Sequence, residues 1–250
     1  MKKTSCPSSA CSKYAFSSGS PSNIAIRMVG CIIYQMYGQL PLGRFPQRLR
    51  VISDAPSVLW YQGNAKQIDF ENTHWCALVG SRNPSEYGKK ITYRFAYELA
   101  QQGIIIVSGL ARGIDAQAHR GALDAHGITV AVLGTAINHI YPREHMALAR
   151  EMVSSGGLLV SEVAPGMSVA SSSFSRRNRI ITGLAHAVVI IEGAQRSGTL
   201  PTVRYALSQG REIGAVPGDI IRPTSFVPNM LLQQGAAPIT CTQDIVELMA

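Results

Sequence analysis

The chain has 250 residues, 46% of them hydrophobic and only 15% charged, which is enough for one large α/β domain with a full core and excludes a tail-like polycation. Lys and Arg outnumber Asp and Glu by 23 to 15, a formal net charge of +8, and this favours anionic partners without naming one. Five scattered cysteines, Cys6, Cys11, Cys31, Cys76 and Cys241, form no CxxC pair or zinc spacing and fit a reduced, cytoplasmic setting.

Residues 1–23 are rich in Ser, Pro and Gly and are expected to be disordered. Lys2 and Lys3 resemble the start of a secretion signal, but Ser, Cys and Pro follow instead of an apolar run, so secretion is not expected. The apolar stretch 24–37 is broken by Arg27 and too short for a bilayer, and no other membrane segment is expected. Residues 24–70 read as an N-terminal appendage and lead-in, with short elements at 49–52 and 58–61. From 71 to 240 the pattern becomes regular. Apolar runs at 76–79, 104–108, 129–133, 158–161, 187–192 and 212–216 read as buried strands. Residues 89–102, with Tyr93, Ala96, Leu99 and Ala100 on one face, and 115–126 read as helices between them. Residues 241–250 read as a short closing helix. This alternation predicts a doubly wound, mostly parallel α/β sheet of Rossmann-like type.

Such sheets bind ligands where their strands end, in the crevice at which strand order reverses. The first strand is followed by Gly80-Ser81-Arg82 and the second by Gly109-Leu110-Ala111-Arg112-Gly113, directly after Ser108. The third leads through Gly134-Thr135 to Tyr141-Pro142-Arg143, and the fifth into Arg196-Ser197-Gly198-Thr199. Gly, Ser and Thr at strand ends expose backbone N–H groups and hydroxyls, and the arginines beside them predict phosphate binding. Neither GxGxxG nor GxxxxGK[ST] occurs, which weakens dinucleotide and ATP-hydrolysing readings, and no GxSxG is present.

Arg176-Arg177-Asn178-Arg179 follows the Ser-rich Ser171-Ser172-Ser173 and precedes an apolar run that reads as a helix. Arginines in a first helical turn oppose the helix dipole by roughly 0.3–1 kcal/mol each, so an external anion is the natural reason for them. The alternative is internal pairing, with Arg179 turned toward Glu162 or Glu192. Both glutamates end buried strands and need partners, for which arginines at the same sheet edge are candidates. Asp115 is expected to cap the helix it opens, and His119 to pack within it rather than catalyse. Cys76 reads as core. No catalytic residue, metal ligand or cofactor is expected.

From about Phe45 to Gly235 the chain resembles the DprA/Smf family of DNA-processing proteins. The likeness rests on Val79-Gly80-Ser81-Arg82, Ser108 to Asp115 with Ala118-His119, Ala131 to Thr135, Tyr141-Pro142 and Ser161-Glu162. It continues through Arg177-Asn178-Arg179-Ile180-Ile181, Ser197-Gly198-Thr199-Leu200, Ala215-Val216-Pro217-Gly218 and Gly235-Ala236. The resemblance implies an extended Rossmann-like domain that binds single-stranded DNA, forms homodimers and hands the strand to the RecA recombinase in natural transformation. By the same resemblance Arg82, Arg112, Arg143, Arg176, Arg177 and Arg179 form a basic pocket, while Ser81, Gly109, Ser197 and Gly198 supply donors. Phe174 offers a stacking face or belongs to the core. The pattern departs from the family at Ser175, Ala136 and Asn138, and near Val227-Pro228-Asn229. A helical N-terminal domain is expected only as a remnant and a C-terminal winged helix as absent. Residues 212–232 are the expected dimer surface. Two rival readings are a LOG-like nucleoside-monophosphate phosphoribohydrolase and a nucleotide-sensing module. The first is weakened by Thr202, which stands where that family carries a glutamate.

Overall fold

The computed structural model describes residues 37–250. The expected disordered tail, the apolar stretch 24–36 and Cys6, Cys11 and Cys31 lie outside the described residues. The nine strands of the described residues join one sheet in the order β1-β2-β6-β5-β4-β3-β7-β8-β9. The strands are β1 (Gly38–Pro41), β2 (Val58–Gly63), β3 (Trp75–Val79), β4 (Ile105–Ser108), β5 (Thr129–Leu133), β6 (Leu158–Ser161), β7 (Ala187–Ile190), β8 (Glu212–Ala215) and β9 (Ala237–Pro238). From β6 to β9 every pairing is parallel. The β1–β2 hairpin adds two antiparallel strands through β2 and β6, with Trp60 opposite Ser161.

Parallel central strands must be apolar on both faces because helices cover both. On β3 the alternation sends Trp75, Ala77 and Val79 into one core and Cys76 and Leu78 into the other. Helices α2 (Glu86–Gln101), α3 (Ile114–Asp124), α4 (Met146–Ser154) and α9 (Thr242–Leu248) cover the second face. Helices α1 (Gln47–Arg50), α6 (Asn178–Leu184), α7 (Thr199–Ser208) and α8 (Phe226–Gln233) cover the first. Trp75 is fully buried and stacked on Phe70 at 5.4 Å, and an aromatic burial of this kind contributes about 1.5–3 kcal/mol. The chain winds outward from β3 to β6, crosses the sheet through α5 (Ser172–Arg176) and α6, and resumes beside β3 with β7. Strand order therefore reverses between β3 and β7, and the loops that leave the strand ends on either side are those carrying the glycines and arginines.

Three local expectations need correction. The arginine run straddles two helices instead of opening one: Arg176 closes α5, Arg177 joins the two segments as the N-cap of α6, and Arg179 lies in the first turn of α6. At a helix C-terminus Arg176 is favoured by the dipole, so the first-turn charge argument does not apply to it; it does apply to Arg179, where the carboxylates of Glu162 and Asp54 answer the charge. Asp115 is not the cap of α3; Gly113 occupies that position, and the Asp115 carboxylate folds back onto the loop before it. Glu192 is not paired with arginine. It accepts from the Ser85 backbone N–H at 2.9 Å and the Ser85 hydroxyl at 2.5 Å, while Ser85 caps α2 by accepting from Gly88 N–H. A carboxylate at a helix N-terminus is a natural counter-charge to the dipole.

Candidate nucleic-acid interface

The loop after β4 forms the floor of the site. Leu110 is fully buried yet adopts φ +57°, a conformation that costs a side-chain-bearing residue roughly 1–2 kcal/mol and persists only when its surroundings hold it. Three side chains do so. Asp115 accepts from Gly109 N–H at 3.1 Å and Ala111 N–H at 3.2 Å. His145 Nδ1 donates to the Leu110 carbonyl at 2.8 Å. Arg177 Nη1 donates to the Gly109 carbonyl at 2.6 Å and to that of Val132. Gly109 is required by this arrangement, because a Cβ there would lie 2.5 Å from the Arg177 guanidinium. Burial raises the Asp115 carboxyl above its ordinary pKa while the Arg177 charge opposes that rise. Burial likewise lowers Arg177, to about 10, against the pull of Asp115 and with the push of Arg82. Arg177 stays charged at neutral pH, so a cation lies under the strand ends in a region of low dielectric, where it acts strongly on an anion.

Above this floor Arg82, Arg112, Tyr141, Phe174 and Arg177 surround a narrow cavity of about 50 Å³. Arg82 and Arg143 are exposed and have no carboxylate partner among the described residues. Arg112 is exposed and holds Glu144 through two hydrogen bonds, Nε to Oε1 at 2.7 Å and Nη2 to Oε2 at 2.8 Å. That contact raises Arg112 and lowers Glu144 from their ordinary values. Arg176 is 57% exposed and only loosely paired, at 3.5 Å from Asp54 and 3.8 Å from Glu162. Phe174 is half-buried, with its ring edge-on to the exposed Tyr141 ring at 5.4 Å. Gly134 makes room for it: a Cβ there would approach the Phe174 ring to 2.7 Å.

The remaining expected residues divide clearly. Arg179 is 1% exposed and lies inside, donating to Glu162 Oε1 at 2.7 Å and to the Asp54 carbonyl and Oδ2 at 2.8 and 3.0 Å. It is thus the inward alternative that is realised, and the expectation of a phosphate contact at Arg179 is corrected. Ser108 is also withdrawn, its buried hydroxyl donating to the Leu78 carbonyl at 2.7 Å. Thr199 is buried, with an unpartnered Oγ1. Asn178 Oδ1 accepts from Arg177 Nε at 3.2 Å and so steadies that side chain. Gly80 packs tightly on the Glu192 carbonyl, Ser81 Oγ accepts from Asn83 N–H at 3.1 Å, and Gly113 caps α3. Ser197 and Gly198 sit at the start of α7, one strand beyond the cavity wall. Gly134 and Tyr141, named in the turn after β5 but not among the expected contact residues, also line the cavity. His119 packs as expected: its Nδ1 meets Thr129 Oγ1 at 2.7 Å, its Nε2 is buried without a partner, and burial lowers its pKa to about 3. Among the described residues no helix is long and apolar enough to cross a membrane.

The family model of the DNA recombination-mediator protein A matches residues 42–250. Protein Smf of Escherichia coli K12 is 43% identical over 203 residues, covering 81% of this chain and 54% of that protein. DNA processing protein DprA of Bacillus subtilis is 39% identical over 204 residues, covering 82% of this chain and 68% of its own length. The chain therefore spans about half of the first relative and about two thirds of the second. Among solved structures, DprA from Streptococcus pneumoniae superposes with a TM-score of 0.76 at 35% identity, covering 84% of this chain and 74% of that one. DNA processing protein A from Helicobacter pylori, described for its unique single-stranded DNA binding mode, superposes with a TM-score of 0.75 at 28% identity, covering 84% and 94%. With the arginine-floored strand ends in place and the match running from residue 42 to residue 250, the chain belongs to the DNA recombination-mediator protein A family, the DprA/Smf proteins.

Proposed function

We propose that this edge of the sheet binds the backbone of single-stranded DNA, and that the chain acts as a non-catalytic DNA-processing protein which shields a strand and passes it to the RecA recombinase. The observation that carries the reading is the convergence of exposed Arg82 and Arg112 with buried Arg177 and the Phe174–Tyr141 pair around one cavity. Guanidinium groups supply fork-shaped donors for phosphate oxygens, and aromatic faces accept any base, a combination suited to sequence-tolerant single-strand binding. The likeness to a protein described for single-stranded DNA binding supports it. Homodimerisation through residues 212–232, RecA contact and a role in natural transformation belong to the same proposal and rest on family membership. The phosphoribohydrolase reading is disfavoured because Thr202, at the position of the required carboxylate, is only 1% exposed.

Fluorescence anisotropy of a labelled oligo-dT across a salt series, competed with duplex DNA and with AMP, tests this. Salt-sensitive binding that survives both competitors is the expected result. No binding, or displacement by micromolar AMP, would overturn it in favour of a small-nucleotide ligand.

A further inference from the structure

At the opposite edge of the sheet, where β3, β7 and β8 begin, lies an open groove of about 760 Å³. Two half-buried arginines line it, Arg48 from α1 and Arg211 directly ahead of β8. We infer that this groove is a second anion site, separate from the DNA interface, which takes one small oxyanion group, a phosphate or a carboxylate, on the Arg48 and Arg211 guanidinium groups.

The two cations lack a counter-charge of their own. Among the described residues they bond carbonyl groups rather than carboxylates: Arg48 Nε donates to Leu184 at 2.6 Å, and Arg211 donates to Thr182 at 3.1 Å, to Gly183 at 3.4 Å and to Arg48. Arg48 Nη2 is buried with no partner, and the guanidinium lies 5.6 Å from the centre of the Trp75 ring. Burial lowers Arg48 to about 10, with Glu71 pulling it up and Arg211 pushing it down, and burial lowers Arg211 as well. Both stay charged at neutral pH. Two like charges set together partly out of water call for an anion, and guanidinium forks match an oxyanion in shape. No Asp or Glu precedes Asp54 in the chain, so the residues ahead of α1 do not supply one.

The rest of the groove limits what that anion can be. His186 Nδ1 accepts from the Trp75 backbone N–H at 2.9 Å, so its proton stands on Nε2 as a further donor, and burial keeps the ring neutral by lowering its pKa to about 4. Three glutamates share the lining. Glu71 is engaged, accepting from Gln47 N–H at 2.9 Å and from Arg50 at 3.4 Å, while Glu212 and Glu247 are exposed. These carboxylates repel a run of phosphates more than a single oxyanion group. The cavity at the strand ends, by contrast, is lined by three arginines and no carboxylate. One edge therefore suits a polyanion and the other a lone oxyanion.

The chain has two tryptophans, and they report the two edges separately: Trp75 lies beside Arg48, whereas Trp60 pairs with Ser161 at the end of β6. Inorganic phosphate and, in a second arm, acetate are titrated into the isotope-labelled chain at low ionic strength held constant with chloride, and both indole N–H signals are followed by NMR. The Trp75 signal is expected to move to saturation. A response to phosphate alone assigns a phosphate group, to acetate alone a carboxylate, and to both a general oxyanion seat. Arg48→Gln is expected to weaken the titration by about 10-fold or more and to leave oligo-dT affinity unchanged. Glu212→Gln is expected to tighten it by about 2- to 5-fold, a gain that a misfolded variant cannot mimic. No movement of Trp75 with either anion, the same movement with chloride alone, or a titration undiminished in Arg48→Gln would overturn the site. Saturation of the Trp75 signal by oligo-dT would overturn its separation from the DNA interface.

Discussion

Arg82→Ala separates the exposed charges of this interface from its buried one. Arg82 is exposed, has no carboxylate partner among the described residues, and shares the cavity wall with Arg112 and Arg177. Four exposed arginines can meet phosphates: Arg82 and Arg143 directly, and Arg112 and Arg176 by exchanging their carboxylate partners for phosphate. Single-strand binding loses about 0.7 in log–log salt slope per phosphate contact, so the four together correspond to a slope of about −2.8. That slope makes affinity fall about 50-fold between 50 and 200 mM salt; without Arg82 it becomes about −2.1 and the fall about 20-fold. An exposed, unpaired side chain contributes within about 0.5 kcal/mol to stability, which in a chain of this size moves the melting temperature by no more than about 2 °C. The assay is anisotropy with oligo-dT at five or more salt concentrations, alongside a thermal melt. An unchanged slope would remove Arg82 from the interface. A lowered melting temperature would show that its role is structural and refute the division made here.

Arg177→Ala should behave oppositely. Removing a buried cation that satisfies two carbonyls and faces Asp115 costs about 3–5 kcal/mol, lowering the melting temperature by about 6–20 °C, and a shift below 3 °C would contradict its place as the floor. Glu144→Gln frees the Arg112 guanidinium from its bidentate partner and should tighten oligo-dT binding by about 2- to 5-fold at low salt; weaker binding would mean that Glu144 orients Arg112 rather than competing for it. For pH, His119 has its folded pKa pushed down to about 3 by burial, while an unfolded histidine titrates near 6.5. The stability it contributes is therefore complete above about 6.5 and is lost as pH falls from there toward 3, by about 2 kcal/mol at pH 5. Urea unfolding at pH 7.5 and 5 should show a loss about 2 kcal/mol smaller in His119→Gln than in wild type; the raised Asp115 and His186, lowered by burial to about 4, are common to both and cancel. An identical pH dependence in the two proteins would remove His119 as its source.

The central strands were legible because a parallel strand covered on both faces leaves a continuous apolar run, and β3 to β8 each did so. Their register and order were not, since pairing joins residues far apart in sequence, as when β7 inserts beside β3. The piece at 58–61 was visible as a short element, but not as the start of β2, because its partner β6 comes about 100 residues later. Asp115 and Glu192 were singled out for the right reason, a carboxylate ending up where polar groups must be satisfied. Their partners came from loop backbone and from Ser85, which no spacing rule could identify.

The four residues Arg176-Arg177-Asn178-Arg179 show why charge alone cannot locate a binding surface. Within them Arg176 points to solvent, Arg177 lies under the strand ends bonded to carbonyls 68 and 45 residues away in sequence, and Arg179 closes an ion pair with Glu162 and Asp54. Burial of an arginine depends on whether distant backbone carbonyls and carboxylates can satisfy its five donors, so it is a property of topology rather than of local sequence. What the sequence does carry is the room left for these side chains: Gly109 beneath Arg177 and Gly134 beside Phe174 mark where a Cβ would collide with them. The two inward arginines fix the loops that the outward ones sit on. Mutating all three together would therefore abolish binding for two unrelated reasons. Only the salt slope, read beside the melting temperature, tells a lost phosphate contact from a lost floor.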